Sequence, residues 1–389
     1  MKPFQGVDYF RFDSLLSEEE LMIRDEVRRF VENEATPVLT RHHREGTFPL
    51  HLVKPMAEMG LLGANLSGYG LPGLGGAAYG LIMQELERGD SGIRSFASVQ
   101  GGLVMYPIHA FGTEEQKQRW LPRLAAGKVI GCFGLTEPDF GSNPNGMTTR
   151  AQASGDGYVL NGAKMWITNG DMADIAVVFA KLDGEVNGFL VERGTPGFAT
   201  QEIKGKFSLR ASDTASLFFE DCFIPAANRL PGAVGLKAAL ACLTQARYGI
   251  AWGVIGAAME CYHTALEYAK ERVQFSGRPI AGHQLVQEKL VWMITEITKA
   301  QFLALQAARL KDRGELKFHH VSMIKRNHVD MALQCARLAR DILGAAGIVD
   351  DHPVIRHMLN LESVRTYEGT HDIHTLIVGD AITGHPAYE

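Results

Sequence analysis

The sequence predicts an α+β fold in which helices, then β-strands, then helices follow one another along the chain. Apolar residues recur at helical spacing from Ser17 to about residue 130, and short β-type runs occupy the chain from Gly131 to about residue 232. Helical patterns then resume and continue to the end. We therefore predict an N-terminal α-helical domain over residues 1–130, a middle antiparallel β domain over 131–232 and a C-terminal α-helical bundle over 233–389.

The first domain contains clear signals for the starts of helices. Ser17 and Thr113 each precede a Glu or Gln by three positions, which is the capping-box pattern of a helix N-terminus. Three further features are predicted here: a helix over residues 51–60, a glycine-rich loop over 67–76, and a long apolar helical segment from Ala77 with a break near residue 90.

The middle domain is predicted from short runs rich in β-branched and aromatic residues: CFGLT, GYVLNG, KMWITN, IAVVFAKL, GFLVERG and SLFFEDCFI. Gly155–Gly157 and Asn161–Gly162 supply turn signals between some of them. Strands at this spacing predict a small antiparallel sandwich or barrel.

The last domain is predicted from three long helical patterns, roughly Leu236–Phe275, His283–Arg313 and Phe318–Leu343. Helices of this length are typical of an antiparallel bundle. Two shorter amphipathic patterns, Ile355–Thr366 and Ile373–Thr383, end the chain.

Composition excludes several classes of function. The net charge is -5 and no run of Lys or Arg is present, so the chain offers no basic surface for nucleic acid. The longest apolar run, Gly249 to Met259, is too short to cross a bilayer, so no membrane insertion is expected. The five scattered cysteines lack the spacing of a disulfide framework or a zinc site and indicate a reducing compartment. The polar, acidic N-terminal residues do not resemble a targeting peptide, so we expect a cytoplasmic protein, with a processed mitochondrial matrix form as the alternative.

The turn between the last two predicted helices singles out one carboxylate. Gly369 lies where a helix would break and can adopt a positive φ, so the turn would display Glu368 beside Tyr367 and Thr370. A carboxylate with little water around it has a raised pKa and can act as a general base. For a lone glutamate a solvated helix end is the simpler interpretation, and the rest of the chain is needed to favour the base.

Three other features are compatible with ligand binding. The loop at 136–144, rich in glycine, proline and small polar residues, leaves backbone N–H groups free for a phosphate or an oxyanion, although a surface turn fits its composition better. Trp166 could pack on a planar heterocycle, although tryptophan is more often core. Arg94, among small hydroxyl residues, suits bidentate capture of a carboxylate; an internal salt bridge to Glu87 or Asp90 fits the spacing equally well.

Other common site patterns are missing from the sequence. It contains neither Gly-x-Gly-x-x-Gly nor a phosphate-binding Gly-Lys-Ser/Thr, and no Gly-x-Ser-x-Gly supports a serine nucleophile. His371 and His374 have a workable helical spacing for a metal, but no third ligand accompanies them. We therefore predict no metal site.

Several motifs, taken together and in order, resemble the acyl-CoA dehydrogenase family over essentially the whole chain. They are FGLTEPDFGS at 133–142, KMWITN at 164–169, Arg272-x-x-Phe275 and TYEGTHDIHTLIVGDAITG at 366–384. Within the family, SVQGGLVMYPI, ARDILGAAGI and NLESVRTYEGTHDIHTLI are most similar to the glutaryl-CoA dehydrogenase branch. The helical–β–helical order agrees with the fold of that family.

The resemblance implies a FAD enzyme that oxidises an acyl-CoA thioester, with Glu368 as the base that removes the α-proton. The flavin contacts it implies are Phe133, Leu135, Thr136, Gly141, Ser142, Trp166, Ile167, Thr168, Arg272, Phe275, Gln284, Asp341, Leu343, Gly344, Thr370 and Asp372. Some of these match contacts from a neighbouring subunit, so a homotetramer is implied, with electron-transfer flavoprotein as the electron acceptor. Ala246 stands at the family's other position for the base, which leaves Glu368, with Glu362 as a weak local rival.

For the substrate, the resemblance implies that Arg94 and Ser95 hold the distal carboxylate of glutaryl-CoA. The other implied substrate contacts are Glu87, Ser98, Ser142, Arg247, Tyr367 and Gly369. A buried arginine without that carboxylate would be an unpaired charge, so plain aliphatic acyl-CoAs are expected to be poor substrates. Four departures from the branch pattern, Phe96, Gly101-Gly102, Asn143 and Ala345, leave a related short acyl-CoA open, because Phe96 could narrow the acyl end.

The implied reaction is oxidative decarboxylation of glutaryl-CoA to crotonyl-CoA and carbon dioxide. A short-chain acyl-CoA dehydrogenase or oxidase that acts without decarboxylation is the alternative within the same class. A non-catalytic binding or assembly protein on the same scaffold is the alternative from a different class.

Overall fold

The computed structural model describes residues 3–275 and 277–387, and its elements follow the predicted order of helices, strands and helices. The helices before the sheet are α1 (Glu18–Phe30), α2 (Thr36–Glu45), α3 (Val53–Glu58), α4 (Gly76–Gly89), α5 (Ser91–Ser98), α6 (Tyr106–Phe111) and α7 (Glu114–Ala125). The helices after it are α8 (Leu236–Glu271), α9 (Gln284–Asp312), α10 (Phe318–Leu343), α11 (Val354–Thr366) and α12 (His371–Thr383).

The strands fall into one large sheet and two short hairpins. The hairpins are β1 (Ser67–Gly68) with β2 (Leu71–Pro72), and β11 (Val273–Gln274) with β12 (Arg278–Pro279). The large sheet contains β3 (Gly131–Gly134), β4 (Arg150–Ser154), β5 (Gly157–Thr168), β6 (Ile175–Leu182), β7 (Glu185–Glu192), β8 (Phe198–Glu202), β9 (Thr214–Pro225) and β10 (Arg229–Val234).

The predicted helix starts are confirmed. The Ser17 hydroxyl accepts from the Glu20 N–H at 3.2 Å, while the Glu20 carboxylate accepts from the Ser17 N–H at 2.8 Å. Thr113 and Gln116 make the same reciprocal pair at α7. The predicted break near residue 90 is also present, because Asp90 is extended and separates α4 from α5. Helix α5 then continues through a π-helical segment, Val99–Met105, into α6.

The sheet differs from the predicted antiparallel sandwich in having mixed strand directions. Its strands run in the order β10-β7-β6-β4-β5-β9-β8, and β3 pairs with β6 in parallel, with Phe133 opposite Val177. Strand β4 also pairs with β6 in parallel. Strands β3 and β6, like β4 and β6, are not consecutive in the chain, and the intervening strands provide the crossover that a parallel pair needs.

Two details of the strand prediction are wrong. Asn161–Gly162 is not a turn: both residues lie inside the long strand β5, at a bulge where the register with β9 shifts and Gly162 adopts a φ of 146°. The prediction also missed β4, β8 and β10. These three short strands alternate only weakly, and most of their residues remain in contact with solvent.

The helices before and after the sheet bury their side chains in one continuous core. Phe30 of α1, Ile82 of α4 and Ile255 of α8 all belong to it. Helices α4 and α8 approach very closely, since a Cβ added to Gly80 would collide with the indole of Trp252. The central helices are thus held rigidly, and the C-terminal turn after α11 is anchored on them.

All five cysteines are buried and free. None of the described helices is long and apolar enough to cross a membrane. Within the described ranges, no group of three or more His, Cys, Asp and Glu side chains is arranged to hold a metal ion.

Candidate active site

The predicted turn after α11 has an unusual backbone. Gly369 has a φ of 93°, which agrees with the prediction, and Glu368 itself also lies in the left-handed region with a φ of 52°. Thr370 then caps α12, its hydroxyl accepting from the Ile373 N–H at 3.2 Å. A non-glycine residue at positive φ is held there only when its surroundings over-determine it.

Position 369 admits glycine alone for a second reason. A Cβ there would lie 2.8 Å from Nε2 of His374 and 3.2 Å from Nη2 of Arg247. Both side chains therefore pack directly against the turn that carries Glu368.

Two buried cations hold the main chain of this turn. Nε of Arg247, on α8, donates to the carbonyl oxygen of Glu368 at 2.7 Å. Nζ of Lys325, on α10, donates to the carbonyl oxygens of Tyr367 at 3.0 Å and Gly369 at 2.8 Å. Three consecutive carbonyl groups are thus fixed from two different helices.

The Glu368 carboxylate has the environment that a general base needs. Its Oε2 atom is buried and has no hydrogen-bond partner among the described residues. Burial raises the pKa of this carboxyl, and the positive charges of Arg94, Arg247 and Lys325 only partly oppose the rise. An uncommitted oxygen with a raised pKa is what proton abstraction requires.

The local rival for this role lies elsewhere. Glu362 is exposed and pairs with Arg337 at 2.8 Å, so its carboxylate is committed to a surface ion pair. Ala246 is buried on α8 and has no titratable group. Of the candidate bases weighed from the sequence, only Glu368 has the required environment.

Arg94 on α5 is buried, with 1% of its surface exposed, and it is paired within the protein. Its Nε donates to Oε2 of Glu87 at 2.6 Å, and its Nη2 donates to the hydroxyl of Tyr367. The Ser95 hydroxyl lies 3.2 Å from the same Tyr367 oxygen. Burial acts to lower the pKa of Arg94, but the Glu87 carboxylate and the Tyr367 hydroxyl together outweigh it, so the pKa is raised and the guanidinium stays charged.

This pairing corrects one premise drawn from the sequence. Arg94 would not be an unpaired charge in the absence of a substrate carboxylate, because Glu87 already neutralises it. Asp90, the other partner considered, pairs instead with Arg356 at 3.0 Å. The expected discrimination against aliphatic acyl-CoAs therefore does not follow from an unpaired charge. Nη1 of Arg94 donates to no described residue and is available to a ligand.

Sequence reasoning missed two residues that shape this cluster. A Cβ at Gly253 would collide with Oε2 of Glu87 and lie 3.2 Å from Nε of Arg94, so this glycine of α8 makes room for the ion pair. Lys325 was missed although a signal was available, since this lysine lies at helical spacing on the buried stripe formed by Val321, His328 and Ala332. Ser98 is buried on α5, and Phe96 stacks on Phe48 with ring centroids 4.9 Å apart.

The β-domain residues among the implied flavin contacts form a second group. Phe133, Leu135 and Ile167 are buried core side chains, and the carbonyl groups of Leu135 and Ile167 accept hydrogen bonds from Lys164 and Gly170. The N–H of Met165 donates to the carbonyl of Thr136 at 2.9 Å, which joins the loop after β3 to the end of β5. Thr168 is half-buried at the end of β5.

Trp166, Gly141 and Ser142 are the exposed members of this group. Trp166 has 57% of its surface exposed, with a φ of 64° that turns the side chain out of the β5 pleat. The N–H groups of Gly141 and Ser142 make no hydrogen bond within the described part of the chain, and a Cβ on Gly141 would meet nothing within 4 Å. The exposed indole can pack against a flat ring, and the free N–H groups of the loop after β3 can bind an anionic group.

The remaining implied flavin contacts form a third group, which lies on or beside α8, α9, α10 and α12. Arg272 follows directly after α8, Gln284 begins α9, and Phe275 on the intervening hairpin has 81% of its surface exposed. Asp341 is exposed and forms ion pairs with Lys289 and Arg340. The remaining members are Leu343, which is buried, Gly344, which ends α10 with a φ of 59°, Thr370, and Asp372 in the first turn of α12.

Three consecutive parts of the chain match family domains. They are described as Acyl-CoA dehydrogenase, N-terminal domain (residues 17–128), middle domain (132–222) and C-terminal domain (233–383). The short-chain specific acyl-CoA dehydrogenase of Bos taurus mitochondria is 38% identical over 374 residues, covering 93% of this chain and 90% of that protein.

Two solved structures extend the similarity. A glutaryl-CoA dehydrogenase from Mycobacterium smegmatis superimposes with a TM-score of 0.97 at 52% identity and covers 99% of this chain and 100% of its own. A second glutaryl-CoA dehydrogenase from that organism, in complex with FADH2, gives a TM-score of 0.97 at 46% identity and covers 100% of both chains. With its fold, its three matched domains and its relatives of known class, the chain belongs to the acyl-CoA dehydrogenase family.

Proposed function

We propose that this flavin-dependent acyl-CoA dehydrogenase acts on glutaryl-CoA and couples dehydrogenation to decarboxylation. The observation that carries the proposal is Arg94, a buried guanidinium with one uncommitted nitrogen, next to the turn that bears Glu368. The similarity to two glutaryl-CoA dehydrogenases, at 52% and 46% identity, supports the same substrate.

The cofactor is FAD, and the residues present fit it. The exposed indole of Trp166 offers a flat apolar surface, and the N–H groups of Gly141 and Ser142 are free for an anion. The pair Lys164–Glu137, buried and 2.9 Å apart, holds the loop in place. Arg272, Phe275 and Gln284 would hold the nucleotide half, which we propose is shared across subunits of a homotetramer. When bound, FAD supplies the acceptor for the hydride that leaves the substrate β-carbon.

Glu368 performs the proton chemistry of the proposed reaction. Its free Oε2 takes the α-proton, whose acidity is increased by the neighbouring thioester carbonyl. With loss of the α-proton to Glu368 and of the β-hydride to the acceptor that bound FAD would supply, glutaryl-CoA becomes glutaconyl-CoA. Loss of the γ-carboxylate as carbon dioxide then leaves a dienolate, and the proton on Glu368 returns to the γ-carbon to give crotonyl-CoA.

Arg94 orients the distal carboxylate in this scheme. Its Nε is committed to Glu87 and its Nη2 to Tyr367, so the guanidinium plane is fixed before substrate arrives. Tyr367 remains protonated, because burial raises its pKa to about 12, and it keeps its hydroxyl in position. We propose electron-transfer flavoprotein as the partner that reoxidises the cofactor, and the cytoplasm as the location.

A panel of acyl-CoAs tests the proposal. The flavin-loaded enzyme is mixed anaerobically with glutaryl-CoA, butyryl-CoA and isovaleryl-CoA, and both flavin absorbance and released carbon dioxide are measured. Glutaryl-CoA should bleach the flavin fastest and release one carbon dioxide per turnover. Faster bleaching by butyryl-CoA, with no carbon dioxide from glutaryl-CoA, would instead favour a short-chain acyl-CoA dehydrogenase.

A further inference from the structure

Lys325 is a lysine with 1% of its surface exposed, and the proposed reaction has so far given it no chemical task. It lies on α10, and its ammonium donates to the carbonyl oxygens of Tyr367 and Gly369 at 3.0 and 2.8 Å. These are the two residues on either side of Glu368. A desolvated ammonium is costly to bury, so its place at this turn needs a compensating role.

The contacts of Lys325 define the conformation of the base. Glu368 has a φ of 52°, a left-handed conformation that is strained for a residue with a side chain. The two bonds from Lys325 fix the flanking carbonyl groups, and Arg247 fixes the carbonyl between them at 2.7 Å. Removal of Lys325 would therefore leave the carbonyl groups of both residues that flank Glu368 without this donor.

The electrostatic setting of Lys325 is crowded with positive charge. Glu368 is the carboxylate that favours its charged form, while Arg247, Arg94 and Arg365 oppose it. His374, from α12, packs on the same turn but is neutral, because burial and the nearby cations Lys325 and Arg247 lower its pKa to about 3. Burial first, and then these arginines, lower the pKa of Lys325 to about 7.

We propose that Lys325 is a positioning residue for the base: it holds the Glu368 turn in its left-handed conformation and stabilises the ionised carboxylate. The inference rests on the proposed function of Glu368. It adds a second element, α10, to the machinery that prepares the base. The ammonium does not touch the reacting atoms.

The decisive variant is Lys325→Met, which keeps an unbranched side chain and removes both the donor and the charge. We expect kcat for glutaryl-CoA to fall by about 10–100-fold because the base is misplaced, while KM changes little. Without the ammonium the carboxylate is harder to ionise, so the acid limb of the kcat/KM profile should move to higher pH. Lys325→Arg retains the charge and should keep the acid limb near its original position.

A matched control separates positioning from folding. Lys206 is less buried than Lys325 but likewise makes two hydrogen bonds, to the Ser212 carbonyl and the Thr214 hydroxyl, both at 2.6 Å. Lys206→Met should lower the melting temperature without moving the acid limb. If Lys325→Met does not fold, Lys325→Gln, which retains an N–H donor but no charge, serves for the pH measurement.

A second variant distinguishes failure of this inference from failure of the proposed function. Wild-type kcat, or a reduced kcat with an unmoved acid limb, in the Lys325 variant would contradict the positioning role. Glu368→Gln is measured beside it. If that variant still turns over glutaryl-CoA, the assignment of the base is at fault; if it is inactive and Lys325→Met behaves as wild type, only the inference about Lys325 is lost.

Discussion

Nε of Arg94 lies 2.6 Å from Oε2 of Glu87, and both side chains are buried. The protein therefore neutralises Arg94, the proposed substrate-binding residue, before any substrate binds. Such a pair contributes little net stability, but breaking it from one side is costly, because the remaining charge cannot reach water. Its value lies in holding one guanidinium face still beside Tyr367.

The first prediction separates stability from specificity at this pair. Arg94→Gln should cost about 3–5 kcal/mol in the free energy of unfolding, since Glu87 is left buried and unpaired. The double variant Glu87→Gln/Arg94→Gln should recover most of that loss yet should not recover the preference for glutaryl-CoA over butyryl-CoA. Urea unfolding and the ratio of the two kcat/KM values measure the two effects. An unchanged ratio in the double variant would remove Arg94 from substrate selection.

The second prediction concerns Gly253, where a Cβ would collide with Glu87 and press on Arg94. Gly253→Ala should push the pair apart, destabilise the protein by about 1–3 kcal/mol and reduce turnover of glutaryl-CoA. Gly379→Ala on α12 is the matched control, because a Cβ there would meet nothing within 4 Å. That variant should be neutral or slightly stabilising by the helix propensity of alanine. Equal effects of the two variants would count against the steric argument.

The third prediction tests the loop proposed to receive the flavin. Burial acts to raise the pKa of Glu137, but hydrogen bonds from Lys164, Thr148 and Thr149 outweigh it and lower the value from 4.5 to about 2. The folded pKa lies below the unfolded one, so this stabilisation is present above pH 4.5 and is lost as pH falls towards 2. Glu137→Gln should thus lower the melting temperature and loosen the flavin at pH 7.

The difference between the Glu137→Gln variant and wild type should shrink on acidification. Melting curves followed by circular dichroism across this pH range, with flavin fluorescence as a second signal, measure it. A constant offset in melting temperature would mean that the carboxylate charge contributes nothing.

The fourth prediction concerns the stability cost of the base. Burial raises the pKa of Glu368 above 4.5, so the folded state holds its proton to higher pH than the unfolded state does. Stability therefore falls as pH rises from the unfolded value through the folded one. Glu368→Gln should melt at a higher temperature than wild type at pH 7, and the advantage should vanish below about pH 4. If Glu368→Gln were instead less stable than wild type at pH 7, burial of the ionised carboxylate would not be destabilising.

Much of the fold follows from local patterns in the sequence. The long helices, the two capping boxes and the turn at Gly369 were predictable, because periodicity, caps and glycine act within a few residues. The parallel entry of β3 and the bulge at Gly162 were not, since they depend on which distant strands pair.

The candidate site, like the fold, could be predicted only in part from the sequence. Glu368 and Arg94 could be singled out from neighbouring residues and from a family resemblance. The three carbonyl groups held by Lys325 and Arg247, and the space that Gly253 leaves for Glu87, join residues from separate helices. No sequence spacing encodes such contacts, and only the packed structure reveals them.

The central claim is that Glu368 is the base, and one rapid-mixing measurement tests it most directly. Wild type and Glu368→Gln, both loaded with FAD, are mixed anaerobically with glutaryl-CoA while the flavin absorbance is followed. Wild type should bleach rapidly, and the variant should be slower by about 10²–10⁴-fold, the usual contribution of a positioned general base. Bleaching of the variant at a rate near that of wild type would contradict the account.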